Sequence, residues 1–88
     1  MKTDTKNASL RRLSYIDGHI DGIRRMVEED KYCVDILKQT YAVRKAIEKL
    51  EQLMLSSHME TCVIPGIRQG RQEQIVAELK ELYKLADN

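Results

Sequence analysis

Three side chains in this sequence have the chemistry to hold a soft metal ion: Cys33, His58 and Cys62. His58 and Cys62 stand four positions apart, a spacing that stacks two side chains on one face of a helix so that both can reach one ion. Cys33 lies 25 positions before His58 and 29 before Cys62. At about 100° per residue both intervals return to within ~20° of the same face. Along one straight helix, however, Cys33 and His58 would be about 37 Å apart at ~1.5 Å per residue. They can meet across two copies. In an antiparallel pair Cys33 of one chain comes level with His58 and Cys62 of the other, the crossing falls near Ala46 and Ile47, and a two-fold axis generates the site twice. Two thiolates and one imidazole make a soft, three-coordinate set that suits Cu(I). Structural Zn(II) takes four ligands and catalytic Zn(II) three plus water. Nickel or cobalt would ask for further nitrogen or oxygen donors, and residues 1–9 contain no His or Cys. His19, the other histidine, is on a line with Arg12 and Met26 at the edge of an apolar stripe, a place for packing or a polar contact. On spacing alone the alternative stands beside the metal site: free cysteines are often small buried hydrophobes, and a lone histidine near a helix end is often a capping or surface residue.

The elements that must position these residues read as helices. Leu10, Leu13, Ile16, Ile20, Ile23 and Val27 recur every three or four residues, as in an amphipathic helix. Gly18 and Gly22 sit inside it, each costing roughly 1 kcal/mol relative to Ala. They mark either the close approach of another backbone or a tolerated irregularity. Asp30 is placed to cap a second helix. From there the spacing of Ile36, Thr40, Val43, Ile47, Leu50 and Met54 is a heptad-like seam. A continuous helix from about residue 31 to 62 would be roughly 48 Å long, more than one small chain can cover. Pro65-Gly66 and Gly70 predict a loop, and a third helix follows from about Arg71 with Ile75, Leu79, Leu82 and Ala86 on one face. The expectation is an all-α chain: a polar N-terminal arm over residues 1–8, then one helical domain over residues 9–88, oligomeric through its long central helix.

Composition sets the outer bounds. The chain has 88 residues, 42% of them hydrophobic, with no Phe and no Trp. A domain of this size buries only about 60% of its unfolded surface, so it needs metal, disulfides or oligomerisation as support. Charged residues make up 33%, against four Gly and one Pro, which favours long helices with solvated faces. No apolar run approaches the roughly 18 residues of a membrane span. The start, Met1 to Lys6, lacks the apolar stretch of a secretory signal. The expected location is therefore the cytoplasm, where thiols stay reduced. Net charge is +1, divided as +3 over residues 1–50 and −2 over residues 51–88, a bias that permits nucleic-acid binding without requiring it. No nucleophile–base pair, phosphate loop or catalytic carboxylate pair is visible, so neither an enzyme nor a small-molecule substrate is expected.

Arg12-Leu13, Gly18-His19-Ile20-Asp21-Gly22-Ile23, Met26-Val27-Glu28, Tyr32-Cys33-Val34-Asp35 and His58-Met59-Glu60-Thr61-Cys62 together closely resemble the copper-sensitive operon repressor family over about residues 8–86. The resemblance implies a three-helix protomer with one long central helix, an antiparallel helical-bundle dimer, and a flat homotetramer built as a dimer of dimers. It implies an apo tetramer bound to operator DNA, and release of copper-resistance genes when Cu(I) occupies the intersubunit Cys33–His58–Cys62 set. Tyr32 and Glu78 fall where the family places side chains that hydrogen-bond the ligating imidazole. Arg12 and Lys49 fall where it places basic residues facing DNA, with Arg11, Arg44 and Lys45 as neighbours. Tyr15 stands where many members carry a basic residue, and Gly70-Arg71 replaces a common Gly-Asp. Sister branches sense nickel or cobalt with an added N-terminal histidine, or formaldehyde with a proline at position two, where this chain has Lys2. Persulfide sensors keep both cysteines but typically lack the histidine. A persulfide-sensing repressor is the nearest alternative, and a copper-buffering oligomer without DNA binding is the alternative from another class.

Overall fold

The computed structural model describes residues 1–86. Helix α1 spans Thr3–Glu28 and helix α2 spans Cys33–His58. A single π-helical turn, Met59–Val63, and a short helix α3, Ile64–Arg68, continue α2 without a break in the chain's helical course; α4 spans Gln72–Ala86. Among the described residues there is no strand, and no helix is long and apolar enough to cross a membrane.

Helix α1 begins at Thr3, so the polar residues expected as an arm form its first turns. Asp4 in the first turn complements the helix dipole. The reversal between α1 and α2 hinges on Asp30, whose φ of 55° is left-handed. Its N–H bonds to the Val27 carbonyl at 3.1 Å and the Lys31 N–H to Met26 at 3.0 Å, the paired bonds that close a helix C-terminus. Asp30 therefore ends α1 instead of capping α2, whose capping position is Tyr32. Aspartate suits both places, since its short polar side chain favours caps and also tolerates the left-handed region. Gly70, at φ 82°, repeats the device between α3 and α4: Gly70 N–H meets Ile67 at 3.1 Å and Arg71 N–H meets Gly66 at 2.8 Å.

The loop expected at Pro65-Gly66 is instead helical, and the chain reverses only at Gly70. Pro65 stands at the start of α3, where its missing N–H is tolerated. The π turn ahead of it already passes bonding from i−4 to i−5, the Ile64 N–H reaching the Met59 carbonyl. Gly66 is required for packing: a Cβ there would lie 3.0 Å from both Cγ1 and Cδ1 of Ile75, the residue through which α4 seats on α3.

Helices α1 and α2 pack antiparallel around Ile16, Val43 and Leu50, with Ile23, Ala46 and Met54 against them. Much of the expected seam of α2 is thus spent on α1 of the same chain. Ala46 packs against that cluster, while Ile47 beside it stays 38% exposed. Gly18 and Gly22 have nothing within 4 Å of a built Cβ, so no backbone of this chain approaches them. Leu10, Leu13, Ile20 and Val27 on α1, and Leu82 on α4, remain exposed. The chain measures 56 × 30 × 14 Å. Only five hydrophobic side chains are buried among the described residues, too few for a core that stands alone.

Candidate metal centre and nucleic-acid interface

Cys33 opens α2 and is exposed; His58 closes it, and Cys62 lies in the π turn, both half-buried. A π turn takes more than four residues, so Cys62 falls just short of a full turn beyond His58, and the pair still shares a side. Such turns recur at functional sites. The Thr61 hydroxyl donates to the Ser57 carbonyl at 2.8 Å and lies 3.6 Å from the Cys62 sulfur. With its proton already given to Ser57, Thr61 can accept from the Cys62 thiol. Among the described residues no three His, Cys, Asp or Glu side chains gather closely enough to hold a metal. Within one chain, His58 and Cys62 lie at and just beyond the C-terminal end of α2, and Cys33 lies at its other end.

Tyr32 is 68% exposed. The exposed carboxylate of Glu78 accepts a hydrogen bond from Gln74 at 3.4 Å. Neither is bonded to His58 within the chain. His19 is half-buried, with Nε2 2.7 Å from Gln39 Oε1 and its ring edge-on to Tyr15 at 5.7 Å. Its polar role is satisfied inside the α1–α2 pair. Gln39 carried no sequence signal for this contact, because its partner is 20 positions away.

A groove of about 520 Å³ runs between α1 and α2, lined by Arg11, Arg12 and Tyr15 from one helix and Lys45 and Lys49 from the other, over Ala8, Ala42 and Ala46. Four of the five basic candidates meet there; Arg44 does not line it. Small residues at helical spacing make the groove possible, and the three alanines gave no chemical signal in the sequence. Lys45 Nζ lies 3.5 Å from a Glu48 carboxylate oxygen and 5.4 Å from the centroid of the Tyr41 ring. Glu48 first, then Tyr41, raises its pKa above the ordinary 10.5, so the ammonium stays charged. Two cations on each wall thus line one opening.

Comparison with known proteins settles the class. A family model described as a metal-sensitive transcriptional repressor matches residues 5–87. The chain belongs to this family. Its members are transcriptional repressors and not enzymes. Among curated relatives, the copper-sensing transcriptional repressor CsoR of Mycobacterium ulcerans is 44% identical over 82 residues, covering 93% of this chain and 70% of the relative. Among solved structures, the copper-sensing repressor CsoR with Cu(I) from Geobacillus thermodenitrificans superposes with a TM-score of 0.93 at 32% identity, over 100% of this chain and 92% of that one. The nickel-responsive transcriptional regulator InrS superposes with a TM-score of 0.75 at 40% identity, over 89% of this chain and 88% of that one. This metal-sensitive repressor is therefore all-α over its described residues, of the copper-repressor fold, and a transcriptional regulator by family.

Proposed function

We propose that the chain is a Cu(I)-responsive repressor whose metal site forms between two copies packed antiparallel, with Cys33 of one chain beside His58 and Cys62 of the other. The observation that carries this is the placement of the soft donors at opposite ends of one rod, Cys33 exposed at the start of α2 and His58 and Cys62 at and beyond its end, with no group of three such side chains gathered among the described residues. The uncovered apolar side chains of α1, α2 and α4 supply surface for that dimer and for its pairing into a tetramer. Tyr32 and Glu78 would then orient the His58 imidazole across the assembled site, fixing the ring and tuning the metal. The protein would work in the cytoplasm, where both thiols remain reduced.

The donor set fits Cu(I): two thiolates and an imidazole are soft and few. A nickel site would recruit another nitrogen, and the remaining histidine, His19, is engaged by Gln39. When bound, copper supplies a bond between chains that favours one arrangement of the helices. The chain's own residues convert that preference into DNA release, because Arg11, Arg12, Lys45 and Lys49 must present to phosphates in register. Regulation then requires copper to bind the DNA-free form more tightly than the DNA-bound form, a coupling typically of about 1–3 kcal/mol.

The test is an anaerobic Cu(I) titration of reduced protein bound to a labelled duplex from its own promoter, read by fluorescence anisotropy, with Ni(II) and a polysulfide donor titrated in parallel. A fall to the free-DNA value at about one copper per protomer, the stoichiometry of two sites on a two-fold axis, supports the proposal. Release by nickel or polysulfide alone replaces copper as the inducer. Absence of DNA binding by the apo protein would leave the copper-buffering alternative.

A further inference from the structure

We propose that Tyr15 is an uncharged phosphate contact on the DNA face, braced for that task by His19; this rests on the DNA-binding reading above. Tyr15 lines the basic groove together with Arg11, Arg12, Lys45 and Lys49 and is 64% exposed. Its phenol is therefore offered to whatever polyanion the four cations attract. The floor of the groove is alanine, so the groups that can reach a bound phosphate are these cations and the tyrosine hydroxyl. Tyrosine hydroxyls are among the donors that proteins aim at phosphate oxygens.

The ring is also held. It meets the His19 imidazole edge-on, with centroids 5.7 Å apart and planes at 82°. His19 in turn is tied from α1 to α2 by its bond of 2.7 Å to Gln39. That bond holds the imidazole in one orientation. An exposed tyrosine without such a brace loses rotamer freedom when it binds. Here part of that ordering is done before DNA arrives.

A neutral donor leaves a distinct mark. Each lysine or arginine that neutralises a phosphate releases counterions and steepens the dependence of log K on log salt by about 0.9. A phenol adds affinity and no slope. The experiment is a salt series of apo-protein binding to the labelled promoter duplex for the full chain and three variants. Tyr15→Phe is expected to bind about fivefold more weakly for each copy that reaches DNA, the worth of one modest hydrogen bond, at every salt concentration and along a line parallel to wild type. Lys49→Gln is expected to flatten the slope by about 0.9 for each copy that reaches DNA. His19→Ala, which takes away the brace and no donor lining the groove, is expected to give a smaller parallel loss that vanishes in the Tyr15→Phe background.

Unchanged binding by Tyr15→Phe overturns the proposal, as does a loss accompanied by a change of slope. Full additivity of His19→Ala and Tyr15→Phe overturns the bracing. The two readings separate cleanly: if Lys49→Gln weakens binding and Tyr15→Phe does not, DNA binding stands and Tyr15 has no part in it. If wild type does not bind the duplex at all, both fall.

Discussion

The proposed division of the metal site between two chains can be tested by counting sites in mixed dimers. Cys33 and His58 are the first and last residues of α2, so about 37 Å of helix separates them within a chain at ~1.5 Å per residue. Consider protomers carrying Cys33→Ser mixed in equal amounts with protomers carrying Cys62→Ser, exchanged by anaerobic unfolding and refolding. Neither variant alone can form a complete site. Random pairing makes about half of the dimers mixed, and the two-fold axis gives each mixed dimer one site with both lesions and one intact site. The mixture should therefore regain about one quarter of the wild-type number of sites able to keep Cu(I) against a competing chelator. The converse mixture is equally diagnostic. Wild type combined with the Cys33→Ser/Cys62→Ser double variant should retain about one quarter of the all-wild-type number, since every mixed dimer is broken at both sites. A site contained within one chain predicts zero for the first mixture and about one half for the second. Those two values would refute the reasoning from rod length to shared site.

Other expectations follow from single positions. Gly70→Ala forces a side chain into the left-handed region at φ 82° and should cost about 1–2 kcal/mol in chemical denaturation; Asp30→Gly, in the same motif at φ 55°, should be neutral or stabilising by up to about 1 kcal/mol. Gly66→Ala sets a methyl 3.0 Å from Ile75; it should lower stability by about 1–3 kcal/mol and speed hydrogen exchange in α4. Glu48 and Tyr41 hold the Lys45 pKa above its ordinary 10.5. Stability from this raised pKa is present at neutral pH and lost only as pH rises through the folded-state value, so the Lys45 share of DNA affinity should be flat between about pH 6 and pH 9. A Lys45→Gln variant compared with wild type across that range checks it.

The helices were legible because apolar residues at three- and four-residue steps leave a periodic trace; the breaks were not. Pro65 is an ordinary helix terminator, and the preceding five-residue π turn that admits it has no composition of its own. Asp30 was ambiguous for a physical reason, since the property that makes aspartate a cap also lets it turn the chain at positive φ. Thr3 to Ala8 carry no apolar stripe, yet they are helical, with the flanking Lys2 ammonium 3.3 Å from a Glu60 carboxylate oxygen in the π turn beyond α2. Cys33, His58 and Cys62 stand out by type and spacing as candidate donors; the structure sets Cys33 at the first residue of α2, His58 at its last and Cys62 in the turn beyond. The groove could not be read so fully. Arg11, Arg12, Lys45 and Lys49 stand out as charges, but their convergence depends on the register of α1 against α2, and Arg44 shows that charge nearby in sequence is no guide to which side of the helix it occupies.

That register is also what makes regulation through this fold physically reasonable. The groove takes two cations from α1 and two from α2, so the distance between the pairs is set by how the helices lie on each other. Few residues fix it: Ile16, Val43 and Leu50 are the buried hydrophobic contacts between them. Interfaces of packed side chains switch between discrete arrangements more readily than they stretch. His58 is eight residues beyond Leu50, about 12 Å along the helix at ~1.5 Å per residue, and Glu60, in the turn just after it, meets Lys2, just ahead of α1. On the proposed reading, a ligand that ties His58 and Cys62 to a second chain acts on the end of a lever whose other arm carries Lys45 and Lys49. Phosphates along a duplex have fixed spacing. A shift that takes one cation pair out of register removes contacts whose loss is multiplied by every copy in the oligomer, and a coupling of about 1–3 kcal/mol requires no more than that.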